Sequence, residues 1–400
     1  MSKPTVLISG AGIAGPACAF FLSKAGIPTT IMERSSSLRK AGQQIDIRGA
    51  ALKVVQQMGL EAAIRAKTTR EAGLAFVNGA GKRLALFPVD AEGGRSFTSD
   101  MEIVRGELAH ILYEKSREGM STEYVFGDHV TGMVQTGKKV AVELARGGRR
   151  EFDLVVGADG MGSKIRRLAF PDEDPLRGLG QYTAFFTVPY QPSDGAYAQW
   201  YNAPGGRCII LRPDGVGNTR VYLSVMSSRP AGYFQLGIGE QKRMMHELFS
   251  DAGWQAARVL HGMDLSDDFY MQEIAQVKMQ QWSSGRVALL GDAGYCPSPI
   301  SGMGTSLALI GAYILAGEVA RCGRDHREAF RCYEEKMKPY VEKAQSLPPG
   351  TPALLNPQTA WGIKVLNGVL GTVSWLRVAK LVGKLSSPPA EDKSLPVYEF

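Results

Sequence analysis

Residues 5–10, Thr-Val-Leu-Ile-Ser-Gly, make a short β-branched apolar run that continues as Gly10-Ala11-Gly12-Ile13-Ala14-Gly15 and passes directly into the helical pattern PACAFFLSKAG. No other stretch constrains the fold as much. A buried parallel strand reads as an unbroken apolar run rather than an alternation. A strand that enters a helix through closely spaced glycines builds the first turn of a doubly wound α/β sheet. Gly10 permits the tight turn, Gly12 lets the backbone approach a pyrophosphate, and Gly15 lets helix and strand pack closely, with Ala14 completing the loop. The helix start offers unpaired N–H groups to an anion. A second strand, IPTTIMER, ends in Glu33 and Arg34, and Glu33 stands where an acid accepts hydrogen bonds from a ribose. Glycine-rich turns are common by themselves. Strand, glycines, helix, second strand and acid in that order point to a dinucleotide, and leave NAD and FAD undivided.

The chain spans 400 residues, too many for one small core, which suggests two domains that can be interleaved. Its 46 Lys and Arg against 39 Asp and Glu give a net charge of +7, but the cations are scattered among acids. No basic block is interleaved with aromatics, so nucleic acid is not an expected partner. The five cysteines lack any CxxC pairing and the five histidines share no ligand spacing, so a metal-free, cytoplasmic protein is expected. No signal peptide opens the sequence, no apolar stretch runs uninterrupted to the length of a membrane span, and a monomer is expected. Neither a GxSxG elbow nor a Ser-His-Asp pattern is present, which leaves nucleophilic hydrolysis without support.

A second buried strand, GRVALLGD at 285–292, places Asp292 at its carboxyl end. An acid there suits a ligand in the sheet's crevice, although it could also cap neighbouring backbone N–H groups. Pro297, Pro299, Gly302 and Gly304 then shape an irregular loop before the apolar helical run TSLALIGAYILAGEV. The positive end of that helix can face a group that gains negative charge, such as the pyrimidine side of a reduced flavin.

With GAGIAG and Glu33, DLVVGADGMGSKIRR at 153–167 and GRVALLGDAGYCPSPISGMG in order, the sequence resembles the FAD-dependent aromatic hydroxylases, which are single-component flavoprotein monooxygenases. The resemblance spans roughly residues 1–340. It implies that Asp159 and Gly160, with Arg166 beside them, lie near the pyrophosphate in a motif also associated with NAD(P)H. It implies that Asp292 binds the ribityl chain, that Pro299, Gly302 and Gly304 line the flavin ring, and that Arg105 opens a helix close to the flavin. Ser306 stands where many relatives carry Asn. Within the family, LRKAGQQIDIRG at 38–49 and DDFYMQEIAQVKM resemble the tetracycline destructases, which places Gln44 and Arg48 beside the isoalloxazine.

From 171 to 280 the texture changes to alternating, aromatic-rich strands that should roof the flavin. Phe185, Tyr190, Trp200, Arg207, Arg212 and Met226 are the candidates for contact with substrate. The expected architecture is α/β: a Rossmann-like FAD-binding domain over 1–170 and 281–345, interleaved with a β-sheet-rich substrate domain over 171–280. A linker and a C-terminal amphipathic helix fill 346–400. That helix, read over 361–385, carries Leu366, Val369, Val373 and Leu376 at helical spacing and Arg377, Lys380 and Lys384 on another face. A basic amphipathic helix can lie on a membrane, but it is expected here to pack on its own protein and border the pocket.

The resemblance implies that NADPH or NADH reduces FAD, that molecular oxygen is trapped as a flavin C4a-hydroperoxide, and that one oxygen atom passes to an electron-rich aromatic or enol carbon. A tetracycline-like polyketide or another phenolic metabolite would be the substrate. No side chain stands out as a catalytic acid or base. The rivals are a flavin-dependent halogenase, whose Trp-x-Trp-x-Ile-Pro segment is absent from the sequence, and a non-catalytic dinucleotide-binding protein.

Overall fold

The structure, a computed structural model, describes residues 3–39, 42–89, 99, 101–119, 121–227, 232–376 and 395–400. Along the chain come β1 (Val6–Ser9), α1 (Ala14–Lys24), β2 (Thr29–Glu33), β3 (Gln44–Asp46), α2 (Ala50–Gln57) and α3 (Glu61–Arg65). Next are β4 (Gly73–Val77), β5 (Arg83–Pro88), β6 (Glu102–Val104), α4 (Arg105–Arg117), β7 (Thr122–Phe126), β8 (Val130–Gln135), β9 (Val140–Leu144) and β10 (Arg149–Phe152). There follow β11 (Leu154–Gly157), α5 (Lys164–Ala169), β12 (Leu176–Pro189), β13 (Ala198–Ala203), β14 (Arg207–Pro213) and β15 (Asn218–Met226). The last third holds α6 (Ile238–Phe249), α7 (Ala256–Leu265), β16 (Tyr270–Val277), β17 (Ser283–Ser284), β18 (Val287–Leu289), α8 (Asp292–Tyr295), α9 (Gly304–Cys322), α10 (His326–Gln345) and α11 (Ala360–Trp375).

Two large sheets organise the molecule. The first runs β17-β18-β11-β1-β2-β7, parallel apart from its β17 edge, with β1 in register between β11 (Val6 opposite Leu154) and β2 (Val6 opposite Thr29). All four residues of β1 are buried, as the unbroken apolar run requires. The carboxyl ends of β1, β11 and β18, distant in sequence, therefore open side by side. Against them packs α9, buried along most of its 19 residues. By length and hydropathy α9 could cross a membrane, but here it is a core helix.

The second sheet, β16-β12-β15-β14-β13-β4-β5, is antiparallel except where β13 runs parallel to β4. Alternation assigns its faces. Tyr182, Ala184, Phe186 and Val188 of β12 pack with Met245 and Phe249 of α6 and Val259 and Met263 of α7. Their neighbours Gln181, Thr183, Phe185 and Thr187 face the first sheet across a cavity.

Here the structure departs from the expected boundaries. Strands β4 and β5 come from residues 73–88, within the first third, and yet complete the sheet expected from 171–280 alone. Pairing between Leu74 and Ala198 joins segments over a hundred residues apart, and local pattern carries no information about that. The C-terminal helix is described over Ala360–Trp375, with Leu376 as its cap; residues 377–385, with Arg377, Lys380 and Lys384, lie outside the described residues. The final residues return to the first sheet's helices. Leu395 is buried, Tyr398 and Phe400 pack against Tyr313, and Tyr313 Oη donates to Pro396 O at 2.8 Å.

Candidate active site

The glycines of the β1–α1 loop differ in what compels them. Gly10 has φ 111°, and a Cβ there would lie 2.5 Å from Ala158 O. A Cβ on Gly15 would lie 2.0 Å from Gly10 O. The chain's own packing therefore demands both. Gly12 is different: the nearest atom to a Cβ would be Arg105 Nη2, at an ordinary 3.5 Å. Nothing in the protein excludes a side chain at this position, which opens on the cavity. A bare backbone facing open space fits a ligand pressed against it.

The loop is fastened by Glu33, whose Oε2 accepts from Ala11 N at 2.9 Å and whose Oε1 accepts from Ser35 N at 3.0 Å. Its carboxylate is thus held at the cavity wall, with lone pairs to spare, and Arg34 is exposed beside it. Across the loop, α4 begins at Arg105, whose N–H donates to Gln43 O at 3.0 Å. Its guanidinium has no ion pair among the described residues. It faces Gly12 and is close enough to Asp292 to favour that carboxylate's charge.

Asp292 opens α8 at the end of β18. Its side chain is open to the cavity and enclosed by protein on its other sides, so burial pushes its carboxyl above the ordinary value while Arg105 opposes the rise. No backbone N–H donates to this carboxylate among the described residues, so the helix-cap reading finds no partner. A Cβ on Gly304, the first residue of α9, would lie 3.6 Å from Asp292 Oδ1, so acid and helix start adjoin. Between them the loop turns at Ser298 (φ 82°) and Gly302 (φ 63°). A non-glycine residue in that region costs about 1–2 kcal/mol. The buried Ser298 is held there by its own hydroxyl, which accepts from Ile300 N at 3.2 Å. Pro299 starts the short 3-10 turn that follows.

In the Asp-Gly motif the carboxylate is engaged locally. Asp159 accepts from Ser163 Oγ at 2.5 Å, Lys164 N at 2.7 Å and Ile165 N at 3.2 Å, so its carboxylate caps α5. What the motif turns to the cavity is the bend at Gly160 (φ 80°). Arg166 is buried and braces: Nη1 donates to Ala293 O at 2.7 Å and Nη2 to Met161 O at 2.6 Å, joining this motif to the Asp292 loop.

Gln44 and Arg48 lie on the opposite wall. Gln44 is buried, its Nε2 donating to Pro213 O at 3.0 Å and its N–H to Tyr222 Oη at 3.1 Å. Arg48 pairs with Asp46 at 3.2 Å, and its N–H donates to Ser306 Oγ at 3.0 Å. Ser306, the departure from the commoner Asn, thus ties this segment to the first turn of α9.

Of the six substrate-wall candidates, three line the cavity. Phe185 stacks on Tyr270 at 5.0 Å and meets Tyr222 edge-on at 4.8 Å, and Trp200 stacks on Phe76 at 5.5 Å; both line the cavity. Arg212 also lines it, but its guanidinium is already engaged. It takes Glu71 bidentately at 3.0 Å for both bonds and also binds Glu102. Burial pushes both glutamates up and Arg212 opposes that rise. These two acids, missed in the sequence because neither sits in a motif, occupy the guanidinium expected to greet substrate. Arg207 falls on the wrong face. It shares the parity of Ile209 and Leu211, points toward α6 and donates to Pro204 O at 2.6 Å and Asp251 Oδ1 at 2.5 Å. Tyr190 lies beyond the end of β12, exposed and outside the cavity. Met226 ends β15 beside Gly206, also away from the cavity lining.

These walls enclose a cavity of about 3170 Å³ that runs from Gly12 and Glu33 to Phe185 and Trp200. Sites for one drug-sized ligand occupy about 300–1,000 Å³, so this space accommodates a dinucleotide and a second molecule. Its outer wall is α11, where Leu370 and Val373 pack on the Phe76–Phe87–Trp200 cluster. Ser374 Oγ accepts from Leu86 N at 3.0 Å and donates to Leu86 O at 2.9 Å.

The family profile described as FAD binding domain matches residues 3–346. The flavin-dependent monooxygenase eupH of Phoma sp is 36% identical, with 98% of this chain and 96% of that protein covered. The crystal structure of tetracycline destructase Tet(51) matches with a TM-score of 0.78 at 30% identity over all of both chains. That of tetracycline destructase Tet(55) matches with a TM-score of 0.77 at 32% identity, covering 99% of each.

Proposed function

Since this chain belongs to the FAD binding domain family and is a flavin-dependent monooxygenase, we propose that it spends NADPH or NADH to place one atom of molecular oxygen on an electron-rich aromatic or enol carbon of a polycyclic, polyketide-like substrate. The family match sets aside the non-catalytic reading. The observation that carries the proposal is the continuity of one cavity from the bare backbone at Gly12 to the aromatic face of the second sheet.

The residues present fit FAD. The loop N–H groups of 10–15 and the start of α1 suit the diphosphate, with the Arg105 cation opposite. Glu33 suits the ribose, and Asp292 the hydroxyls of the ribityl chain. Pro299, Gly302 and the positive end of α9 at Gly304 suit the ring edge where negative charge accumulates. When bound, the flavin supplies oxygen activation and its transfer. The chain's own side chains shape the space around it. Phe185, Tyr222 and Trp200 offer flat apolar surface to a ring system, and α11 keeps water from the cavity. With the Arg212 guanidinium occupied by Glu71 and Glu102, the wall suits a neutral ring system better than a carboxylate-bearing phenol.

Similarity to two tetracycline destructases across nearly the whole chain favours a tetracycline among such substrates. The test is a panel of tetracyclines, anthraquinones and simple phenols, scored by NADPH consumption together with product mass. A product one oxygen heavier, labelled from isotopic O₂, supports the proposal. Hydrogen peroxide equal to the NADPH consumed, with every compound recovered unchanged, rejects it.

A further inference from the structure

Helix α11 has the sequence AWGIKVLNGVLGTVSW, with Lys364 its one charge, and none of its residues is buried. A helix so apolar belongs in a core or against lipid. One side does rest on the second sheet through Leu370, Val373 and Ser374. On the other side Trp361 is 75% exposed, Trp375 81%, Val369 56% and Leu376 53%, with Val365 between them at 45%. At about 100° per residue these five fall within roughly 120° of the helix circumference, opposite the packed side. Scattered surface apolar residues are ordinary, but five large ones gathered on one face of a single helix mark an interface.

The chemistry of the stripe and its surroundings favours one occupant. The two tryptophans bracket the stripe about 21 Å apart along the axis, and tryptophan concentrates at the boundary of lipid and water. Lys364 lies at the stripe's margin, the sequence after the helix brings Arg377, Lys380 and Lys384, and the whole chain carries +7. A second copy would set two chains of net charge +7 face to face, whereas an anionic bilayer attracts such a chain. We propose that the exposed face of α11 seats the enzyme on an anionic lipid surface. Because Val369 and Leu370 of the same helix line the cavity, docking brings the cavity wall to the membrane, where apolar ring compounds concentrate. The inference holds whichever compound is the substrate.

The test is sedimentation of the full-length, FAD-loaded chain with vesicles of phosphatidylcholine alone or mixed with phosphatidylglycerol. Binding is expected to the anionic vesicles, falling as salt rises, with a blue shift in tryptophan emission. The double variant Trp361→Ser/Trp375→Ser should bind about tenfold more weakly and keep its flavin and its vesicle-free NADPH oxidation, which separates lost docking from lost folding. Failure of the intact chain to sediment with anionic vesicles overturns the proposal. So does a concentration-dependent dimer that the same two substitutions dissolve, since a second copy would then own the face.

Discussion

The two ends of the cavity are built on different principles. At the parallel sheet, the wall is mostly backbone: the loop at 10–15, the bend at Gly160, the turn from Ser298 to Gly304 and the start of α9. At the antiparallel sheet, the wall is a row of alternate side chains, Gln181, Thr183 and Phe185 on one strand and Ser224 and Tyr222 on the next. A backbone wall fixes what binds there, because N–H groups and helix ends cannot be exchanged by substitution. A side-chain wall can be recut residue by residue without disturbing the strand hydrogen bonds. One end therefore suits an invariable cofactor, and the other a substrate that differs among relatives of one fold.

The largest expected effect lies at the backbone end. Gly12→Val should lower FAD affinity by about 100-fold (~3 kcal/mol), through overpacking against the ligand. The melting curve of the flavin-free protein should stay close to wild type, because the fold leaves room at this position. Gly15→Val should instead yield no folded protein, its Cβ falling 2.0 Å from Gly10 O. Flavin titration with circular-dichroism melting separates the two. Equal damage from both would mean that Gly12 serves the fold alone.

Next in size is the outer wall. Deleting residues 360–376 while keeping the terminal residues 395–400 removes α11 and uncovers Leu74, Phe76 and Phe87. It should still bind FAD, whose expected contacts all precede residue 306, while the yield of hydrogen peroxide per NADPH rises severalfold as water enters. Unchanged peroxide yield with an active substrate would remove α11 from the site.

Strand parity can be tested more gently. Phe185→Leu, which removes a flat ring from the cavity wall, should raise KM roughly fivefold (about 1 kcal/mol of substrate contact) at constant FAD affinity. Arg207→Gln should leave KM alone, since its guanidinium bonds Pro204 O and Asp251 on the far face. A KM effect at Arg207 without one at Phe185 would invert the assignment of faces.

The same contrast explains what is legible in the sequence. The backbone end is legible because tight turns and helix starts demand particular residues at particular spacings, so Gly10, Gly12, Gly15, Glu33 and Asp292 announce themselves. The side-chain end is legible only as texture. Aromatic alternation locates the sheet, but Arg207 and Arg212 are equally plausible by type, and only the register of β14 against β15 decides which faces inward. Glu71 and Glu102 stay hidden because their importance lies in reaching Arg212 from segments remote in sequence. Asp159 stands out as part of a motif; that its carboxylate caps α5 is a matter of three local donors that spacing alone does not apportion.

The smallest effect probes whether the backbone end sacrifices stability for its ligand. Burial lifts the Asp292 carboxyl above its unfolded value, with Arg105 opposing part of the rise. Between those two values the folded chain holds a proton that the unfolded chain has released, so stability falls as pH rises through that window. Above the folded value the whole penalty is present. In flavin-free protein at neutral pH, Asp292→Asn should therefore raise Tm slightly, and the gain should vanish below the ordinary aspartate range, where both forms are neutral. With FAD added the order should reverse: the carboxylate accepts hydrogen bonds from sugar hydroxyls more strongly than an amide, and the variant should bind FAD about tenfold more weakly. A variant that melts lower than wild type without FAD would show that Asp292 holds the loop together for the fold's sake. The acid at the end of β18 would then be a structural element, and the contrast between the two ends would lose its chief support.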